Sequence, residues 1–238
     1  MVLVKLNKML TIIIPTINEA QKLPLLLADI NYYPNQLELI VSDFQSSDLT
    51  ELIAKTGGAK VIHNETKGRG QQLHNGATKA SGEWLLFLHA DSRLDAHWGW
   101  KVDQIIKEDC NKSYAWFFDF KIDKVGFSWF LLELAVFIRS YIFQRPYGDQ
   151  GLLISKSLYF QIGGYKKIPI MEDIDISIRL SQKTKMKRIG SGMHTSDRRY
   201  SRSNIIKNAI KNNNLITSWK QGENPAALLK RYYSDQEN

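Results

Sequence analysis

The sequence predicts an α/β fold: a mostly parallel sheet with helices on both faces and two further helices towards the C-terminus. Three observations carry this expectation. Short apolar runs alternate with segments of helical period through the first half of the chain. The runs are close to continuously apolar, the mark of strands covered on both faces. Their C-terminal ends bring polar or acidic residues to one edge, where open α/β sheets hold their ligands.

The elements follow in order. Leu10–Pro15 forms a first strand, and Asn18–Tyr33 repeats apolar residues at helical spacing. Thr16 or Asn18 can cap that helix, with Glu19 in a first turn that favours a carboxylate. Leu37–Ser42 and Ala59–His63 read as the second and third strands. Gly70–Ser81 reads as a helix stopped by Gly82, and Trp84–His89 as a fourth strand. Beyond Asp91 the pattern changes. Ala96–Glu108 is helical, Tyr114–Ile122 alternates like a strand, and Phe127–Phe143 carries a broad apolar helical face. Gly148–Ser155, Lys156–Gly163 and Asp173–Ser181 follow as strand, helix and helix. Ser203–Lys220 and Asn224–Tyr233 close the chain as helices. With no internal repeat or low-complexity linker, residues 1–238 are expected to form one domain, in which 1–95 carry the ligand edge and 96–238 pack beside it.

Composition narrows the function. At 238 residues, 43% hydrophobic and 24% charged, the chain has the material for an ordinary globular core. Cys110 is the one cysteine, which excludes an intramolecular disulfide and a Cys-based zinc site and points to a reducing, cytoplasmic setting. No run reaches the about 18 to 20 apolar residues of a membrane span; Glu133 and Arg139 interrupt the longest candidate, 125–143. The net charge is +8, and residues 176–196 hold five basic residues and no acid. That stretch reads as a solvated face, a diphosphate-binding surface or a contact with an anionic membrane. Nucleic acid is not expected, because no helix-turn-helix, zinc finger or aromatic-basic RNA signature is present. The apolar face of 127–143 reads as buried core or as a lipid-facing surface that would give the protein a peripheral membrane contact.

Four segments carry the chemistry. Thr11–Ala20 is a buried strand breaking into a helix, with Pro15, Thr16, Asn18 and Glu19 at the break. Val41–Asp48 is a strand ending in Asp43, and Leu88–Asp91 ends the fourth strand in a carboxylate. Gly148–Gly151, containing Asp149 and Gln150, precedes Met171-Glu172-Asp173 at the start of a helix. Ordinary turn and cap residues account for any one of these and poorly for the set.

On these segments the chain resembles the family-2 glycosyltransferases of the GT-A fold, a Rossmann-like α/β architecture. It is most similar to a small bacterial branch, the rSAM/selenodomain-associated transferases. The likeness runs from about Leu10 to about Tyr233. It rests on Lys67-Gly-Arg-Gly-Gln-Gln-Leu-His-Asn-Gly-Ala77, Phe87-Leu-His-Ala-Asp-Ser92, Pro146-Tyr-Gly-Asp-Gln-Gly151, Pro169-Ile-Met-Glu-Asp173 and Thr195-Ser-Asp-Arg-Arg-Tyr200, in that order.

The resemblance implies an inverting transferase that moves a sugar, a hexose or a related one, from a nucleotide diphosphate sugar to a hydroxyl acceptor. A UDP-sugar is the first expectation for the donor, and a lipid-like acceptor is one candidate. A divalent cation, Mn2+ or Mg2+, would steady the departing diphosphate. Residues 1–95 become the nucleotide-sugar half and 96–238 the acceptor half. The family's Asp-x-Asp motif falls on His89-Ala90-Asp91, so Asp91 is the expected metal ligand and the first carboxylate is replaced; His194 is a late candidate ligand. Pro15, Thr16, Asn18, Glu19 and Asp43 would line the nucleoside. Phe44 and Gln45 stand where the family has small residues. Lys67, Arg69 and Gly70, before a helix, suit an anion, as do Arg198 and Arg199. Asp149 and Gln150 are expected on the acceptor side. Asp173 is the expected base, with Glu172 orienting it; the alternative is that both carboxylates complement a helix dipole. Two other functions remain open to the sequence: a sugar nucleotidyltransferase, disfavoured because no Gly-rich basic loop follows the first strand, and a non-catalytic nucleotide-sugar-binding protein.

Overall fold

The computed structural model describes residues 8–124, 126–195 and 214–234. One eight-stranded sheet runs through it in the order β3-β2-β1-β4-β7-β6-β8-β5. The strands are β1 (Leu10–Thr16), β2 (Leu37–Asp43), β3 (Lys60–His63), β4 (Trp84–Phe87), β5 (Ser92–Leu94), β6 (Ala115–Ile122), β7 (Leu152–Ser155) and β8 (Met186–Thr195). β3, β2, β1 and β4 are parallel neighbours. β7 runs antiparallel to both β4 and β6, β6 and β8 pair in parallel, and β5 closes the sheet antiparallel to β8. The mostly parallel expectation holds for the first half and gives way to a mixed sheet in the second.

Helices cover both faces. The continuous apolar strands divide their side chains between two cores, as period-2 alternation requires. Ile12, Ile14, Trp84 and Leu86 pack with α1 (Leu23–Ile30), α2 (Thr50–Thr56) and α4 (Trp98–Lys107). Ile13, Leu85, Phe87 and Ile154 pack with α3 (Arg69–Lys79), α6 (Lys156–Gln161) and α7 (Glu172–Lys183). A fully buried Leu or Ile contributes about 1.5–3 kcal/mol, so these two layers hold the sheet in place. Leu215 and Leu228, from helices α8 (214–220) and α9 (Pro225–Ser234), pack with Met171 and Ile174 at the head of α7.

Several boundaries differ from the sequence reading for identifiable reasons. The first helix starts at Leu23, not Asn18, with Pro24 in its first turn and no side-chain cap. The backbone N–H groups of Asn18, Glu19 and Ala20 donate instead to Ser46 Oγ, Thr50 Oγ1 and Asp48 Oδ2, at 2.8, 2.8 and 3.1 Å. Tertiary partners outcompete a local helix there, so neither Thr16 nor Asn18 is a cap. α3 ends at Lys79 with Ala80 extended, and Gly82 donates its N–H to Thr11 Oγ1 at 3.0 Å instead of terminating the helix. The strand expected from Gly148 begins only at Leu152, after a 3-10 turn over Gly148–Gln150. α5 (Phe127–Phe137) continues as a π-helical turn over Ile138–Ile142. α2, β5 and β8 were not legible in the sequence. The first part of the expected helix Ser203–Lys220, together with Arg198 and Arg199, lies outside the described residues.

Candidate active site

The sheet directions assemble the site. β1, β2 and β4 end on one edge, at Thr16, Asp43 and Phe87. β7 starts at Leu152 opposite Phe87, so the preceding turn, Gly148–Gln150, lies at the same edge. His89 and Asp91 follow β4 directly, and β5 begins one residue after Asp91.

At the β1–β2 end, Asp43 is buried and already well served. Thr16 Oγ1 donates to its Oδ1 at 2.7 Å, and the Ser46 backbone N–H to its Oδ2 at 2.9 Å. Asn18, in the left-handed conformation at φ 53, accepts from the Ser47 N–H at 2.8 Å. The two loops are thus stitched into one wall. Beneath it lies a residue that sequence reasoning missed. Gln72 is buried, and its Nε2 donates to the carbonyls of Thr16 and Ser42 at 2.9 and 2.8 Å. It locks the ends of β1 and β2 in register. Its only sequence signal was a position inside the Lys67–Ala77 segment. Pro15 lies within β1, and Glu19 forms an ion pair with Lys22 at 3.3 Å beside this wall.

The heads of α3 and α7 meet behind the crevice. A Cβ placed on Gly70 would lie 2.3 Å from the Lys166 carbonyl and 3.0 Å from Glu172 Cβ, so only glycine permits this approach. Arg69 forms an ion pair with Glu172 whose carboxylate is almost wholly buried. Burial pushes the Glu172 carboxyl up, as does the neighbouring Asp173 charge, while Arg69 pulls it down. In this structure Arg69 pairs with a protein carboxylate, and Glu172 turns into the protein towards it and braces the helix head. Lys67 is exposed just ahead of this turn.

Asp173 faces the crevice. Its Oδ2 accepts the Gly148 N–H at 2.9 Å and its Oδ1 the N–H of Ile174 at 2.9 Å. The crevice is lined by His89, Tyr147, Gly148, Tyr165 and Asp173 over an apolar floor that includes Phe87. Gly148 is wedged: a Cβ there would stand 2.9 Å from the His89 ring and 3.3 Å from Asp173 Oδ2. Met171, preceding α7 with φ 69, turns the chain so that Glu172 points inward and Asp173 into the crevice. Asp149 lies on the same turn, half-buried. Gln150 does not face an acceptor: it is 1% exposed, its Oε1 accepts from Arg139 and Ser140 at 3.0 and 2.6 Å, and its Nε2 donates to the Phe118 carbonyl at 3.1 Å. It anchors the turn.

Asp91 is half-buried in the turn four residues past the end of β4. His194, the other expected metal ligand, is engaged at both ring nitrogens, Nε2 with Asp95 Oδ1 at 2.8 Å and Nδ1 with Asp123. Neither nitrogen is open to a cation in this arrangement. Burial would lower its pKa, but the hydrogen bonds and charges of Asp95 and Asp123 outweigh burial and raise it.

The sheet, with acidic and polar strand ends along one edge, has the GT-A fold. The chain belongs to glycosyl transferase family 2, whose profile matches residues 11–164. A "PGL/p-HBAD biosynthesis glycosyltransferase" of Mycobacterium tuberculosis is 31% identical over 180 residues, 72% of this chain and 69% of that protein. Among solved structures, S. aureus TarS in complex with UDP-GlcNAc matches with a TM-score of 0.62 at 17% identity, over 79% of this chain and 58% of that one. The mannosyltransferase PcManGT from Pyrobaculum calidifontis, in complex with GDP-Man and Mn2+, matches with a TM-score of 0.59 at 17% identity, over 77% and 56%. The chain thus spans less than two thirds of these structural relatives, and at such identities they bear on the fold alone. No helix among the described residues is long and apolar enough to cross a membrane.

Proposed function

We propose that the chain transfers a sugar from a nucleotide diphosphate sugar to an acceptor hydroxyl, with inversion, and that Asp173 is the base. The carrying observation is the Asp173 carboxylate held at the crevice by the Gly148 N–H. A carboxylate oxygen that accepts one N–H keeps a second lone pair for an incoming proton. As the acceptor oxygen attacks the anomeric carbon, its proton passes to Asp173. The carbon–oxygen bond to the diphosphate breaks, and its electron pair leaves with the nucleoside diphosphate. His89 and Gly148 line the crevice where the acceptor would stand, and Asp149 lies on the same turn as Gly148.

The donor would lie along the wall built from Thr16, Asn18, Glu19 and Asp43, with Lys67 at the diphosphate end. A UDP-sugar is the first choice, in keeping with the UDP-GlcNAc complex of TarS; the GDP-Man complex of PcManGT keeps a second base in view. The residues present fit a divalent cation. Hard cations need only one or two carboxylates where phosphate oxygens complete the shell, and Asp91 offers one in the turn past β4. Among the described residues no three His, Cys, Asp or Glu side chains cluster to hold an ion unaided. When bound, Mn2+ or Mg2+ would supply positive charge to the departing diphosphate. The exposed thiol of Cys110 suits a reducing, cytoplasmic compartment.

The test is a panel of UDP- and GDP-sugars scored by thermal shift with and without manganese, followed by turnover of the best donor. Metal-dependent stabilisation by at least one donor, with turnover lost in Asp173→Asn, is expected. Stabilisation by no donor, or an active Asp173→Asn protein, overturns the reading.

A further inference from the structure

The helix over 127–143 presents an outer face of a kind that monomeric soluble proteins rarely show. Only Trp129, Val136 and Ser140 along it are buried. Phe127, Phe130, Ile142 and Phe143 are 77%, 60%, 62% and 65% exposed, with Leu131 and Tyr141 between them. No charged side chain interrupts the outward positions: Glu133 pairs with Lys121 at 2.9 Å, and Arg139 turns inward over the Tyr147 ring, 3.5 Å from its centroid. Scattered exposed apolar residues need no explanation, but a continuous aromatic and aliphatic face marks an interaction surface.

The rim identifies the partner. Lys124 stands over Trp129 and Arg188 over Phe137, at 5.5 and 5.0 Å from the ring centroids. Met186 N–H donates to Gln144 Oε1, which holds the start of β8, with the exposed Lys185 just before it, beside the C-terminal end of the face. Asp119 pairs with Arg188, Asp123 with His194 and Glu133 with Lys121, so these acids and bases offset one another and the positive excess at the rim rests on Lys124 and Lys185. A basic rim around an apolar centre, on a chain of net charge +8, repels a second copy of itself and attracts an anionic leaflet.

We propose that the outward face of residues 127–143 docks on an anionic lipid bilayer, its aromatic and aliphatic side chains entering the headgroup boundary and the basic rim meeting lipid phosphates. The proposal stands apart from the assignment of donor and base. The same helix grips the crevice from behind, since Ser140 and Arg139 hold Gln150. Docking would set the acceptor opening close to the membrane surface.

Flotation of the full chain with phosphatidylcholine vesicles, and with vesicles containing a third phosphatidylserine, tests it without any nucleotide sugar. Co-flotation with the anionic vesicles at low salt is expected, at least about tenfold weaker on neutral vesicles, and lost in Phe130→Glu/Ile142→Glu. Both positions are exposed, and circular dichroism and thermal melts of the variant check that it is folded. Absence of flotation on anionic vesicles, equal flotation on neutral ones, or flotation unchanged in a folded Phe130→Glu/Ile142→Glu overturns the proposal. So does a dimer by sedimentation equilibrium that those substitutions dissolve while vesicles bind nothing.

Discussion

Gly148 and Asp173, 25 positions apart in sequence, are joined by a 2.9 Å hydrogen bond from the backbone N–H of the first to Oδ2 of the second. The same glycine lies so close to His89 that a single added carbon would press on the ring. A Gly148→Ala substitution should therefore move the base and the imidazole apart while leaving the sheet intact. Turnover is expected to fall about 10- to 100-fold with donor affinity kept, since displacements near 1 Å cost this much. Steady-state kinetics beside a nucleotide titration separate the two effects; a parallel loss of both would mean the turn also shapes the donor site.

Asp173→Asn keeps the size of the side chain and removes the proton acceptor. The expected loss is about 10²- to 10⁴-fold in kcat, with donor Kd changed less than about twofold. Near-normal turnover would move the base role to Asp149.

Asp91→Asn should abolish the manganese dependence of nucleoside diphosphate binding and leave the melting temperature unchanged. Calorimetry with and without manganese reads this directly, and unaltered metal-dependent affinity would remove Asp91 from the metal site.

Arg69→Met leaves the Glu172 carboxylate buried without its partner. The cost is expected at about 1–3 kcal/mol, below that of a fully buried pair because Arg69 is 39% exposed. Burial already raises the Glu172 pKa, and losing Arg69 raises it further. A raised carboxyl contributes stability below its unfolded pKa and loses it as pH rises through the folded value. The variant should thus approach the wild type at acid pH and fall behind towards neutrality. Urea melts from pH 4 to pH 8 measure the trend, and Arg69→Met/Glu172→Gln should recover most of the loss.

His194, between Asp95 and Asp123, has a raised pKa. Its contribution is complete below the ordinary histidine value of about 6.5 and disappears as pH rises through the raised one. Thermal melts should show a decline across that window which His194→Asn abolishes. An identical slope in that variant would assign the decline elsewhere.

The parallel half of the sheet was legible because β1 and β4 are apolar along their whole length, which leaves a buried strand as the simplest reading. β8 was not, because Lys187, Arg188, Gly190 and Gly192 dilute its pattern and a register shift against β6 between Phe117 and Asp119 breaks its alternation. The strand-end carboxylates could be read because acids directly after buried runs are unusual. The partners of Arg69, Glu172 and His194 could not, since each lies across 70 or more positions of sequence. Gln72 was invisible for another reason: a glutamine within a helix looks like surface until its amide is seen bridging two strand ends.

The position of β8 between β6 and β5 has a consequence for biogenesis. Among the described residues β5 pairs only with β8, and β6 has its second neighbour there too. The strand arrives late, at Met186–Thr195, after β1 to β7 have left the ribosome. Until then the nascent chain carries two unsatisfied strand borders, which template association between chains. Products ending before residue 186 should accumulate as insoluble aggregates, and chains extending past 195 should be the first to escape chaperone binding.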